Sequence, residues 1–133
     1  MNENDVKKWL VYAKSNLTKA DKKRKPKNIL YEDLCFDCQQ CTEKSLKALL
    51  IFYNLKFPNT HSINLLIDLL KSNNIFIPDF VKDGVVLNEY AVITRYPGNY
   101  QKVERKDFIE ALNVSKKIFE WAVDIVNMKT LFE

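Results

Sequence analysis

CFDCQQCTEKSLKALL, Cys35–Leu50, contains every cysteine of the chain, at positions 35, 38 and 41. The spacing C-x-x-C-x-x-C fits a metal site, a redox pair or the buried side of a helix. The segment is rich in helix formers and has no Gly or Pro to break it. Advancing by about 100° per residue from Cys35 puts Cys38 and Cys41 at roughly 300° and 240°. That arc also holds Leu34, Leu46, Leu49 and Phe52. In such a helix Cys35 and Cys41 stand roughly 9 Å apart along the axis. Zinc ligands must all come within about 2.3 Å of one ion, so one continuous helix cannot bring the three thiols to it. An iron–sulfur cluster needs a looped motif and a fourth ligand, and there is no fourth cysteine. A thioredoxin-like pair lacks its βαβ context. The cysteines are therefore expected to be small buried packing residues, with no metal and no cofactor.

The rest of the chain agrees with a helical reading. It has 133 residues, 47% hydrophobic, with only two glycines and four prolines. That is enough apolar material for one core and too little turn punctuation for a β sandwich or a glycine-dependent nucleotide fold. A single domain over residues 1–133 is expected. No P-loop, Rossmann glycine pattern, H-E-x-x-H or nucleophile elbow is found. No apolar run reaches the roughly 18 residues of a membrane span. The start MNENDVKKW has no signal-peptide profile, so a cytoplasmic location with free thiols is expected.

The net charge of +4 is local: residues 1–27 carry nine Lys/Arg against three acids, and residues 28–133 carry twelve against fourteen. It peaks in KADKKRKPK, Lys19–Lys27. A solvated connector accounts for this run, and so does a phosphate or RNA anchor. The connector reading is preferred, because no aromatic residues are interleaved to stack on bases.

Five helical segments are predicted. The first places Val6, Trp9, Leu10, Ala13, Leu17 and Ala20 on one side, with Asn4 as a cap. The second, about Ile29–Tyr53, is the spine. The third follows Thr60 as cap and buries Ile63, Leu66, Ile67 and Leu70, ending at the SNN turn, residues 72–74. IFIPDF is a hydrophobic connector. A fourth helix runs from about Phe80 to Tyr96, and a fifth from a cap at Asp107, with Glu110 three positions on, to about Lys129. The fifth is expected to bury Phe108, Ala111, Leu112, Ser115, Phe119, Ala122 and Val126. The expected fold is all-α, an antiparallel up-and-down bundle of four main helices plus a short additional one. On the spine helix, the arc opposite the cysteines holds Gln40, Glu43, Lys44 and Lys47, which surface decoration and a polar groove explain equally well.

Three stretches together resemble the HEPN family, the "higher eukaryotes and prokaryotes nucleotide-binding" helical domain. Gln39–Leu66, QQCTEKSLKALLIFYNLKFPNTHSINLL, is similar to that family's Q-x-x-E-K-x-L-K-A helix, short connector, T-H pair and next helix. Leu87–Tyr100, LNEYAVITRYPGNY, resembles the helix that ends in R-Y-P, and Trp9 with Ala13 resembles the opening W-x-x-x-A. The resemblance implies a helical bundle, commonly a homodimer, often paired with a minimal nucleotidyltransferase in toxin–antitoxin systems. It also implies, for many members, a metal-independent ribonuclease that uses an Arg followed four to six residues later by His.

The arginine of that motif maps to Arg95, whereas the places for the histidine hold Tyr100, Gln101 and Lys102. The sole histidine, His61, precedes Arg95 and reads most simply as a first-turn helix residue. Arg95 reads either as a helix C-terminal cation or as a phosphate fork supported by Tyr96, Tyr100, Lys44 and Lys47. The resulting expectation is a HEPN-like protein that binds a nucleotide or RNA phosphate or docks a nucleotidyltransferase partner, with the case for its own catalysis weakened by the missing motif histidine. The alternatives are a divergent ribonuclease toxin using Arg95 with Tyr100 or His61, and a purely structural interaction module.

Overall fold

The computed structural model describes residues 3–93 and 101–132, and every regular element among them is helical. Helix α1 spans Glu3–Ala20, α2 Tyr31–Phe52, α3 Ile63–Ser72 and α4 Asp79–Lys82. A 3₁₀ segment, Asp83–Glu89, leads into α5, Tyr90–Ile93, and α6 covers Arg105–Phe132.

Side-chain pairings give the directions of the helices. Going up α2, Asp37, Cys41 and Ala48 meet Asn16, Ala13 and Val6 of α1, so these two helices are antiparallel. Tyr31 stacks on Phe108, the Ser115 hydroxyl donates to the Cys38 carbonyl, and Ala48 packs near Ile125, so α6 runs parallel to α2. Gly84 lies beside Thr42 and Ile118 while Tyr90 hydrogen-bonds Cys35, so the 3₁₀–α5 run descends against both. The result is an up-and-down bundle of α1, α2, the 3₁₀–α5 run and α6, with α3 as the short addition.

The expected fourth helix is the main departure. Residues 79–93 form α4, the 3₁₀ segment and α5 rather than one α-helix. Gly84 sits at the break, where an added Cβ would come within 2.8 Å of Ile118 Cδ1. This glycine lets the segment close onto α6. Capping also differs in detail: Asn4 lies inside α1, and Ser62 rather than Thr60 caps α3 by accepting from the Leu65 amide at 3.2 Å. At α6, Asp107 occupies the third position and accepts from the Glu104 amide at 2.9 Å, the reciprocal half of a capping box.

Asparagine supplies the left-handed turns that glycine would ordinarily provide. Asn54 and Asn74 have φ of 59° and 65° just beyond α2 and α3. After α2, the Leu55 amide reaches the Leu50 carbonyl and the Asn54 amide reaches that of Ile51. After α3, Ile75 and Asn74 repeat the pattern on Leu70 and Lys71. Both helices thus end in Schellman motifs that satisfy carbonyls left over by the helix.

The spine helix α2 is enclosed on all sides, with fifteen of its 22 residues buried. Its three thiols have no solvent exposure and point to different neighbours: Cys35 to Tyr90, Cys41 to Ala13 and Leu17 of α1, and Cys38 into the main core. Burial pushes the thiols up, Cys35 to about 12 and Cys41 to about 11, and that of Cys38 higher still. In α6, Phe108, Ala111, Ser115 and Ala122 are buried as the periodicity predicts, and Ile118 is fully enclosed beside them.

Candidate functional site

A helix that is buried all round must enclose its polar residues too. Gln39, Glu43 and Lys47 recur every four positions and so form one stripe along α2. None of them is at the surface: Gln39 is fully buried, Glu43 is 3% exposed and Lys47 is 5% exposed. The stripe is covered by α1 on one side and by the connector between α2 and α3 on the other. From these covers, Trp9 and Phe57 place their rings 5.5 and 5.9 Å from Lys47 Nζ.

Glu43 is the centre of the cluster. Its Oε2 accepts from Lys47 Nζ at 2.9 Å. Its Oε1 accepts from Gln39 Nε2 at 3.0 Å and lies 2.9 Å from His61 Nδ1. Gln39 also donates to the His61 carbonyl and accepts from Gln40, so both its amide hydrogens and its oxygen are engaged. Burial pushes the Glu43 carboxyl up, but hydrogen bonds from Lys47, Gln39 and His61 and the Lys47 charge outweigh it. The group is held below the usual carboxylate value and is ionised at neutral pH.

His61 is the one member that reaches the surface, its side chain 54% exposed. It stands just before α3 rather than in its first turn, and its partner is a carboxylate 18 residues earlier. With Nδ1 bound to an ionised carboxylate, the neutral ring carries its proton on Nδ1 and its lone pair on Nε2. Among the described residues Nε2 has no partner. A carboxylate-oriented imidazole with one free edge can accept a proton from a hydroxyl or, once protonated, donate to a phosphate oxygen. Beside it, Asn88 donates to Asn64 and accepts from the Ile63 amide, fixing the 3₁₀ segment against the start of α3.

A second polar group lies between α1 and α2. Lys44 Nζ donates to Asn16 Oδ1 at 2.7 Å, Asn16 Nδ2 donates to Asp37, and Lys19 pairs with Asp37 at 3.1 Å. Partial burial lowers the Lys44 ammonium despite the nearby Glu43 and Asp37 carboxylates. Lys44 therefore faces α1, on a different side of α2 from His61.

Of the residues singled out from the sequence, Arg95, Tyr96 and Tyr100 lie outside the described residues. Lys47, expected among the phosphate ligands, is 5% exposed and pairs with Glu43 at 2.9 Å. Sequence reasoning missed Gln39, Trp9 and Phe57 as members of the cluster and did not join Glu43 to His61. The four-residue spacing of Gln39, Glu43 and Lys47 was the available signal. Among the described residues no group of His, Cys, Asp and Glu has the arrangement of a metal site, and no helix is long and apolar enough to cross a membrane.

Known proteins share this architecture. The HEPN domain family model matches residues 6–126. The crystal structure of ST0689, an archaeal HEPN homologue, is similar with a TM-score of 0.66 and 26% identity, covering 91% of this chain and 97% of that one. The crystal structure of TT1696 from Thermus thermophilus is similar with a TM-score of 0.71 and 28% identity, covering 93% and 98% respectively. Comparison with curated proteins gives no match.

Proposed function

The chain belongs to the HEPN family, and from that premise we propose that it is a nucleotide- or RNA-phosphate-binding HEPN protein whose ligand meets the exposed edge of His61. The observation that carries this reading is the Glu43–His61 contact at 2.9 Å. A buried, ionised carboxylate fixes the ring and aims its free edge outward, and when protonated that edge offers a directed N–H to a phosphate. In this proposal Arg95 and Tyr96 complete the phosphate site, and Lys44 contributes positive charge at longer range. Lys47 acts indirectly, by keeping Glu43 ionised. The same proposal takes residues 1–133 as one domain of a cytoplasmic homodimer that partners a minimal nucleotidyltransferase in a toxin–antitoxin pair, as the family resemblance implies.

Titration calorimetry in EDTA with GMP, ATP and a short single-stranded RNA tests the site. His61→Asn and Arg95→Ala are expected to weaken binding of at least one ligand by about tenfold or more, the scale of losing a charge-assisted hydrogen bond, with unchanged melting. Wild-type affinity in both variants would refute it.

The same dyad favours one second reading, a metal-independent ribonuclease in which His61 moves the proton of a ribose hydroxyl and Arg95 stabilises the phosphate charge. Cleavage of total RNA in EDTA that is lost in both variants would establish that reading. Neither binding nor cleavage would leave an interaction module.

A further inference from the structure

The basic run near the end of α1 has no part in the His61 site. Lys22, Lys23, Arg24, Lys25 and Lys27 are all exposed on the connector to α2, with no acid among residues 22–27. Read along the chain, the run has no aromatic residue on which a base could stack. The fold supplies one. Lys25 Nζ sits 5.3 Å over the ring of Tyr31 and donates to the Ile29 carbonyl at 2.6 Å. That contact folds the connector back over the start of α2.

Beneath it is a cavity of about 530 Å³ between this connector and the segment that leads into α6. The volume suits a ligand of nucleotide size, within the range of about 300–1,000 Å³ usual for small-molecule sites. Its apolar wall is made by Leu30, exposed despite its size, by the half-buried Tyr31 and by Val103. Tyr31 is braced from behind by Phe108, ring centroids 5.7 Å apart and planes inclined by 30°, so its orientation is set by the core. From the opposite rim come Lys102 and Arg105, both exposed and without a carboxylate partner among the described residues. Two carboxylates also line the cavity, the buried Glu32 and the exposed Glu104, leaving one positive charge in surplus at the walls before the rest of the basic run is added.

We propose that this cavity is a second binding site, which takes one nucleotide unit with its base against Leu30 and the outer face of Tyr31, where it replaces the Lys25 ammonium, and its phosphate between the displaced Lys25, Lys102 and Arg105, while the basic run holds any phosphates that continue from it. Flat ring plus anion is the chemistry that the wall and the rim share. The unit is either a free mononucleotide or one member of a single strand, and the run of cations outside the cavity favours the strand. The site stands on different residues from the His61 proposal and does not depend on it.

Fluorescence anisotropy of the full chain with a labelled single-stranded uridine hexamer, repeated over a range of salt, tests the proposal, with unlabelled UMP and AMP as competitors. Lys102→Glu with Arg105→Glu is expected to weaken binding about tenfold or more and to reduce the log–log salt slope by about 0.7 for each phosphate no longer neutralised. Tyr31→Leu is expected to weaken binding by about tenfold with the slope unchanged, and Tyr31→Phe to restore it, since a ring suffices for stacking. Competition by mononucleotide at concentrations similar to the hexamer identifies the free nucleotide as ligand, and its failure identifies the strand. Wild-type hexamer affinity in the Lys102/Arg105 double variant, or equal losses in Tyr31→Leu and Tyr31→Phe, overturns the proposal.

Discussion

Replacing Glu43 by glutamine keeps the shape of the side chain and removes the charge at the centre of the buried cluster. Lys47 would then be left with its ammonium inside the protein, where it is 5% exposed and has lost its only ion-pair partner among the described residues. Breaking a buried pair on one side costs about 3–5 kcal/mol. The rings of Trp9 and Phe57 remain over the ammonium and offset part of this, each contact contributing about 0.5–1 kcal/mol or more. A net loss of about 3 kcal/mol is therefore expected. This is a large share of the roughly 7–20 kcal/mol available to a domain of this length. Urea unfolding at pH 7, followed by circular dichroism, measures it directly. Adding Lys47→Met should recover part of the loss, giving a coupling energy of at least about 1 kcal/mol. The acid limb gives an independent check. Because the folded Glu43 carboxyl lies below its ordinary value of 4.5, its contribution is fully present above that pH and is lost as pH falls through the lower folded value. Glu43→Gln should flatten the stability–pH profile below about pH 4.5. A loss under about 1 kcal/mol, or single and double variants that simply add, would refute the assignment of Glu43 and Lys47 as an interdependent buried pair.

Other consequences follow from single positions. Thr42 is fully buried and its hydroxyl has no hydrogen-bond partner among the described residues, so Thr42→Val should raise stability by about 1 kcal/mol in the same urea assay. Gly84→Ala drives a methyl group to 2.8 Å from the enclosed Ile118 and should cost about 1–3 kcal/mol, seen as a lower melting temperature. Asn54→Ala forces a Cβ residue into the left-handed region without asparagine's tolerance for it and should cost about 1 kcal/mol, whereas Asn54→Gly should be neutral or stabilising. The three thiols should resist a disulfide reagent at pH 8 in the folded state and react together once urea unfolds the chain. Since their folded values are raised, the stability linked to them is whole below the ordinary thiol value of 9.0 and declines as pH rises above it.

Local pattern alone determined the helical class, the place of α1, α2, α3 and α6 within a few residues, and the inward direction of Cys35, Cys38 and Cys41. Those properties depend on the 3.6-residue period and on side chains close in the chain, which a sequence displays directly. The same period failed over residues 79–93, because the break into α4, 3₁₀ segment and α5 depends on how closely Gly84 approaches α6. It was equally silent about Gln39, Glu43 and Lys47. A polar stripe is ordinarily a solvated face, and only the covers brought by Trp9 and by the Phe57–His61 connector turn it into a buried ion pair with one outlet at His61. The aromatic wall beside the basic run was likewise out of sight, since Tyr31 joins Lys102 and Arg105 across some seventy residues. Periodicity names the face that a helix turns to its neighbours. Which segment arrives there, and with what charge, is settled by chain packing.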